Sequence, residues 1–181
     1  MNPAIPNPYG LSELELTLIA FHEAGHAVAA ELRHPGSAGT VTIISNSDYG
    51  TLGYAHTGTA NHADVFVLFA GVFAESQEQW RLDGGENNEL SLDDYIEMNR
   101  ESLKDSYELG DDHNDWYPAI NEILREQEFC NAQGNTRTDL IRQWSEELTH
   151  QWQAIDMLAK ALLEYGKSSG KQVADIVEIV S

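Results

Sequence analysis

Leu14, Leu18, Phe21, Gly25, Val28 and Leu32 recur at three- and four-residue steps, which puts them on one face of a helix spanning residues 13–33. Ser12, followed three residues later by Glu15, is a capping box that starts this helix, and Pro35-Gly36 ends it. The β-branched run 39–45 reads as a strand. Residues 46–50, rich in Asn, Asp and Gly, form a turn, and residues 51–56 form the partner strand of a hairpin, with Gly53 marking a bulge or a close backbone approach. Residues 62–82 form an apolar helix with Val65, Phe69, Val72, Phe73 and Trp80 spaced for burial, and Ala70 and Gly71 suit close helix packing. Asp83-Gly84-Gly85-Glu86 breaks it.

An acidic amphipathic helix follows over 90–109, carrying Leu92, Ile96, Leu103 and Tyr107. A loop over 110–115 leads into a helix over 115–128, and a second loop spans 131–136. Ile141, Trp144, Leu148, Trp152, Ile155, Leu158 and Leu162 then predict one long helix over 138–165, capped by Gly166. A short helix over 170–180 closes the chain. The pattern predicts a mainly α (α+β) fold, a single domain over 11–181 with a small hairpin or sheet beside the first helix. Residues 1–10, which hold three of the five prolines, read as a flexible N-terminal arm.

Composition changes this picture little. At 181 residues, 41% hydrophobic and 22% charged, the chain is an ordinary globular protein with a sizeable core. Acidic residues outnumber basic ones 30 to 10, for a formal charge of −20. Such a surface repels nucleic acid and anionic lipid, so neither is an expected partner. Solubility is the bland account of the acidity; a preference for basic or neutral peptides is the functional one. With Cys130 as its single cysteine the chain forms no internal disulfide, which suits a reducing compartment. The start lacks the basic and apolar regions of a signal peptide. The longest apolar run, residues 65–74, is about half the length of a membrane span. A soluble, cytoplasmic protein is expected.

The chemistry lies in His22-Glu23-Ala24-Gly25-His26, an HExxH motif inside the first predicted helix. Residues four apart on a helix lie one above the other, so His22 and His26 can aim two imidazoles at one point. Two histidines that hold Zn²⁺, and a glutamate that acts as general base on the water, make up the machinery of a zinc hydrolase. The bland account is a solvated helix face with two histidines and a glutamate. Against it stand the small spacers Ala24 and Gly25 and the following Ala27. A helical glycine costs about 1 kcal/mol relative to alanine, so Gly25 implies that a neighbouring backbone or the metal site needs the room.

A catalytic zinc takes a third protein ligand. No HExxHxxGxxH pattern follows, which excludes the metzincin arrangement. The candidates are Glu75, Asp93, Asp94, Asp111, Asp112, His113 and Asp115. Glu75 more commonly would orient another group or face water. His56 and His62 flank a predicted turn, where histidines are more commonly solvated than ligating.

The run His22-Glu23-Ala24-Gly25-His26-Ala27-Val28, then Thr40-Val41-Thr42-Ile43-Ile44 and Leu52-Gly53-Tyr54, resembles the peptidase domain of the FtsH family of ATP-dependent zinc proteases. There a HEAGHA helix is followed by KVTI and LGYT strands. Ala70-Gly71-Val72-Phe73-Ala74-Glu75 resembles that family's GGRAAE helix, and the stretch from Trp144 through Ala159 to Val173 resembles its C-terminal helix pair. The resemblance implies a zinc-dependent metalloendopeptidase acting on unfolded or flexible polypeptide, with His22 and His26 as metal ligands and Glu23 as catalytic base. The family's third ligand is an aspartate at the start of a helix, in a TGAxxDLxxA pattern. That position carries over to Asp115, with Ala119 four residues on, and Asp94 is the alternative. The chain has no GxxxxGK[ST] phosphate loop, and the family's TGA is absent as such. A stand-alone relative of the peptidase domain is expected, without an ATPase of its own. A separate ATPase or further copies of the chain stay open as partners, and a catalytically inactive metal-binding adaptor derived from the same fold is the alternative function.

Overall fold

The structure, a computed structural model, describes residues 10–43, 53–55, 65–108 and 137–180. Its first element, α1, spans Glu13–Arg33 and is the axis of the core. Ser12 caps it as the sequence requires: its hydroxyl accepts the Glu15 N–H at 3.2 Å, and the Glu15 carboxylate accepts the Ser12 N–H at 2.7 Å. Hydrogen bonding to Ser12 holds the Glu15 carboxyl below its ordinary pKa. Ser12→Ala should cost about 1 kcal/mol of stability, read as a lower urea midpoint at unchanged slope.

From Ala20 to Glu31 every residue of α1 except His22 is buried, so the helix is enclosed on all sides rather than along one stripe. Leu14, expected on the buried face, is 51% exposed because it lies in the first turn, beyond the elements that enclose the middle of the helix. At the other end the chain leaves through Pro35-Gly36. There the buried Glu31 carboxylate accepts the Gly36 N–H at 2.7 Å and the Ala38 N–H at 3.4 Å, which satisfies backbone donors outside the helix.

Strands β1 (Val41–Ile43) and β2 (Gly53–Ala55) pair antiparallel, Val41 opposite Ala55, as the predicted hairpin requires. A third strand, β3 (Lys167–Ser168), lies on the other side of β1, giving the order β2-β1-β3. Nothing in the two residues of β3 marks them as a strand; they are placed by the left-handed cap at Gly166 (φ 76°). Its N–H closes the preceding helix on Leu162 O at 2.7 Å, and its carbonyl accepts the Ile43 N–H at 3.0 Å.

Helix α2, Val65–Leu82, packs along α1. The contact is close where Gly25 faces Ala70 and Ala74. A Cβ on Gly25 would lie 2.3 Å from the Ala70 carbonyl oxygen and 2.9 Å from Ala74 Cβ. The backbone of α2 therefore occupies the space that a side chain at 25 would need. Beyond Gly84 (φ 116°) and a short 3-10 turn, Gly85–Asn87, helix α3 (Leu92–Glu108) packs on α2. Asn99 Nδ2 donates to Ser76 Oγ at 2.9 Å across that interface.

The long helix expected over 138–165 is two helices, α4 (Arg137–His150) and α5 (Trp152–Tyr165). At Gln151 (φ −95°, ψ 6°) the chain tightens by one residue: its N–H reaches Leu148 O at 3.0 Å, a three-residue step. No glycine or proline marks the break, and the apolar periodicity runs through it. The tryptophans of the two halves meet different partners. Trp144 of α4 packs on Phe66 and Phe69 of α2, whereas Trp152 of α5 stacks on Phe21 of α1 with ring centres 5.3 Å apart. Helix α6, Gly170–Val180, closes the core against α1 and α5. The N-terminal arm (1–9), the turn over 46–50, His56, His62, Cys130 and the predicted helix over 115–128 lie outside the described residues. Among the described residues no helix is long and apolar enough to cross a membrane.

Candidate metal centre

The site forms where α2 crosses the middle of α1. His22 and His26 stand one helical turn apart and their Nε2 atoms lie 3.0 Å from one another, the rings meeting edge to face. Each ring is held from behind. His26 Nδ1 is 2.7 Å from the carbonyl oxygen of Val67, and His22 Nδ1 is 2.9 Å from the Glu75 carboxylate. Both of these partners come from α2.

Those partners determine the tautomers. A carbonyl oxygen only accepts, so His26 carries its proton on Nδ1. The Glu75 carboxylate also accepts, so His22 does the same. Each ring therefore presents an Nε2 lone pair toward the other. Two lone pairs 3.0 Å apart repel unless a cation, whether a proton or a metal ion, lies between them. At Zn–N distances of about 2.0–2.1 Å, two nitrogens of a tetrahedral shell lie about 3.3 Å apart. The pair is thus close to ligating geometry before any adjustment. Nδ1–H bonds to a carboxylate and a backbone carbonyl are the usual support of metal-bound imidazoles.

Gly71 supplies the room. A Cβ built there would lie 2.5 Å from Nε2 of His26 and 2.9 Å from Nε2 of His22. The space in front of both nitrogens is thus the space a side chain at 71 would fill. The donor set, the tautomers and this cradle fit a divalent cation such as zinc.

Glu23 is 9% exposed and His26 6%, so the motif is sunk in the core, while the His22 side chain keeps 21% of its surface in solvent. The site is thus reached from the His22 side. Glu75, a candidate third ligand in the sequence, is the support of His22. Asp94 is exposed and engaged in another task. Its carboxylate accepts the Ser91 N–H at 2.8 Å and the Ser91 hydroxyl at 2.7 Å, forming the cap of α3, and these bonds hold its carboxyl below the ordinary value. Asp93 beside it is exposed. Among the described residues no third His, Cys, Asp or Glu joins His22 and His26 in a metal-sized group. Asp111, Asp112, His113 and Asp115 lie outside the described residues.

Sequence reasoning missed two parts of this site. The Val67 carbonyl leaves no signature, because any residue provides one. Gly71 carries a weak signal: a glycine inside an apolar helix asks for a reason, and the sequence suggests close helix packing. The structure gives that packing role to Gly25 and the imidazole contact to Gly71. No protein-family model matches the chain, and no curated protein matches it.

Proposed function

We propose that this chain is a zinc-dependent metallopeptidase. The observation that carries the reading is the pair of Nε2 atoms 3.0 Å apart, turned toward one another by Nδ1–H bonds to Val67 and Glu75, beside a glycine at which any Cβ would crowd both. His22 and His26 would hold the ion, and Asp115 is the proposed third ligand. When bound, zinc polarises a carbonyl and lowers the pKa of water from about 15.7 to roughly 7. Glu23, next to His22 and buried, takes the proton from the attacking water and passes it to the leaving amine. Glu75 and the Val67 carbonyl hold the imidazoles in the ligating tautomer throughout.

The similarity of the HEAGHA run to the FtsH peptidase domain points the same way and suggests unfolded or flexible polypeptide as substrate. Among the described residues β2 is an outer strand of the sheet, and it packs against α1. An extended peptide that adds to such an edge is held by main-chain hydrogen bonds, with loose sequence preference. A cytoplasmic setting belongs to the same proposal, since the lone Cys130 suits a reducing compartment.

Metal content by mass spectrometry tests the site. About one zinc per chain is expected in the wild type, lost in His26→Ala and Asp115→Asn and kept in Asp94→Asn. Cleavage of an unfolded, fluorescently labelled protein, stopped by a chelator, tests the activity. A wild type that takes up no added zinc overturns the reading. One that holds zinc without cleaving identifies a metal-binding adaptor instead.

A further inference from the structure

His26 depends for its orientation on a backbone carbonyl of another helix. That carbonyl belongs to Val67, near the start of the described part of α2. A ligand hydrogen-bonded to a neighbouring helix is only as well oriented as that part of the helix is held. The structure shows what holds it. Arg33, two helical turns beyond His26 on α1, lays its guanidinium over the ring of Phe66 at 3.5 Å from the ring centre. Phe66 is the residue next to Val67. Trp144 of α4 meets the other side of this cluster, with ring centres 6.0 Å from Phe66 and 5.7 Å from Phe69.

Arg33 is itself fixed. Its guanidinium forms a two-pronged ion pair with Glu147 of α4: Nη2 donates to Oε2 at 2.8 Å and Nη1 donates to Oε1. The planar fork serves both contacts at once, pairing in its plane and stacking on its face, which a lysine cannot do. The Phe66–Val67 segment of α2 is thus clamped to α1 at two points, by the Phe66 ring under Arg33 and by the Val67 carbonyl under His26.

We infer that Arg33, held by Glu147 and stacked on Phe66, is a positioning residue for His26: it keeps the Phe66–Val67 segment of α2 in place, so that the Val67 carbonyl orients the imidazole. The inference adds a residue to the proposed metal centre and rests on that reading only for its effect on zinc. An ion pair that merely fastens α4 to α1 would contribute stability and leave the His26 ring unaffected.

Two readouts on the full chain separate these cases. The first is the His26 Nδ1–H proton and ring-nitrogen shifts by NMR of the metal-free protein. The second is zinc affinity by chelator competition. Arg33→Met retains most of the side-chain length and removes the fork; Glu147→Gln removes the charge of its partner. Ser12→Ala, which weakens α1 at its far end, controls for general destabilisation. The expected result is faster exchange of the His26 ring proton in both clamp variants, with zinc affinity about tenfold weaker, in the range seen when outer-shell supports of metal ligands are removed. Arg33→Lys should restore neither fully, and Ser12→Ala should leave both unchanged. An unchanged His26 signal in Arg33→Met, or an equal change in Ser12→Ala, overturns the inference. A wild type that binds no zinc while its His26 signal still responds to Arg33→Met refutes the metallopeptidase reading and leaves the positioning role standing.

Discussion

Glu23→Gln should lower kcat for peptide hydrolysis by about 10²–10⁴-fold while leaving zinc content at the wild-type level, the range that general acid–base catalysis contributes. The substitution is nearly isosteric, so the crowded middle of α1 keeps its packing. It removes the basic oxygen that takes a proton from water. Zinc is retained because the imidazoles and their α2 supports are untouched: His22 on Glu75 and His26 on Val67. Metal analysis and a turnover assay on the same preparation decide the point. Full activity in the variant rules out Glu23 as the base. Loss of zinc together with activity would make Glu23 part of the metal shell, and the mechanism would need another base.

Gly71→Ala should weaken zinc binding more than about 100-fold, beyond the 10–100-fold that removing an outer-shell support costs. Helix propensity alone predicts the opposite kind of result, a gain of about 1 kcal/mol in stability and no effect on chemistry. The geometry overrides it. The added methyl would lie 2.5 Å from Nε2 of His26 and 2.9 Å from Nε2 of His22, so both rings must turn away from the position they share. Crowding a packed core costs about 1–3 kcal/mol, against which the propensity gain is set. Unfolding by urea should therefore show a net loss of about 0–2 kcal/mol, too small to unfold an ordinary domain. A folded variant with wild-type zinc affinity would show that the ion does not sit in front of Gly71, and the assignment of the cradle would fail.

These expectations differ in how much of each was legible in the chain. Glu23→Gln follows from the motif alone. Gly71→Ala needed the structure, because a glycine in an apolar helix has several possible reasons and only its neighbours choose among them.

The same division runs through the whole protein. Local rules were sufficient wherever the cause lay within a few residues. Ser12 and Glu15 start α1 where the capping box places them. Gly84 and Gly166 adopt the positive φ that ends a helix, and residues 170–180 are helical as read. The four-residue spacing of His22 and His26 already implies one shared point on a helix face. Tertiary structure decided what depends on residues distant in sequence. Leu14 is exposed and the middle of α1 is enclosed on all sides, because the elements that cover it come from across the chain. The helix over 138–165 breaks at Gln151, between Trp144 packed on α2 and Trp152 stacked on α1, with no breaker residue to announce it. Above all, spacing brings two imidazoles together but cannot say which nitrogen of each carries the proton. That is decided by Val67 and Glu75, 41 and 53 residues from the rings they hold, since a hydrogen-bond acceptor selects a tautomer only once folding has brought it within reach.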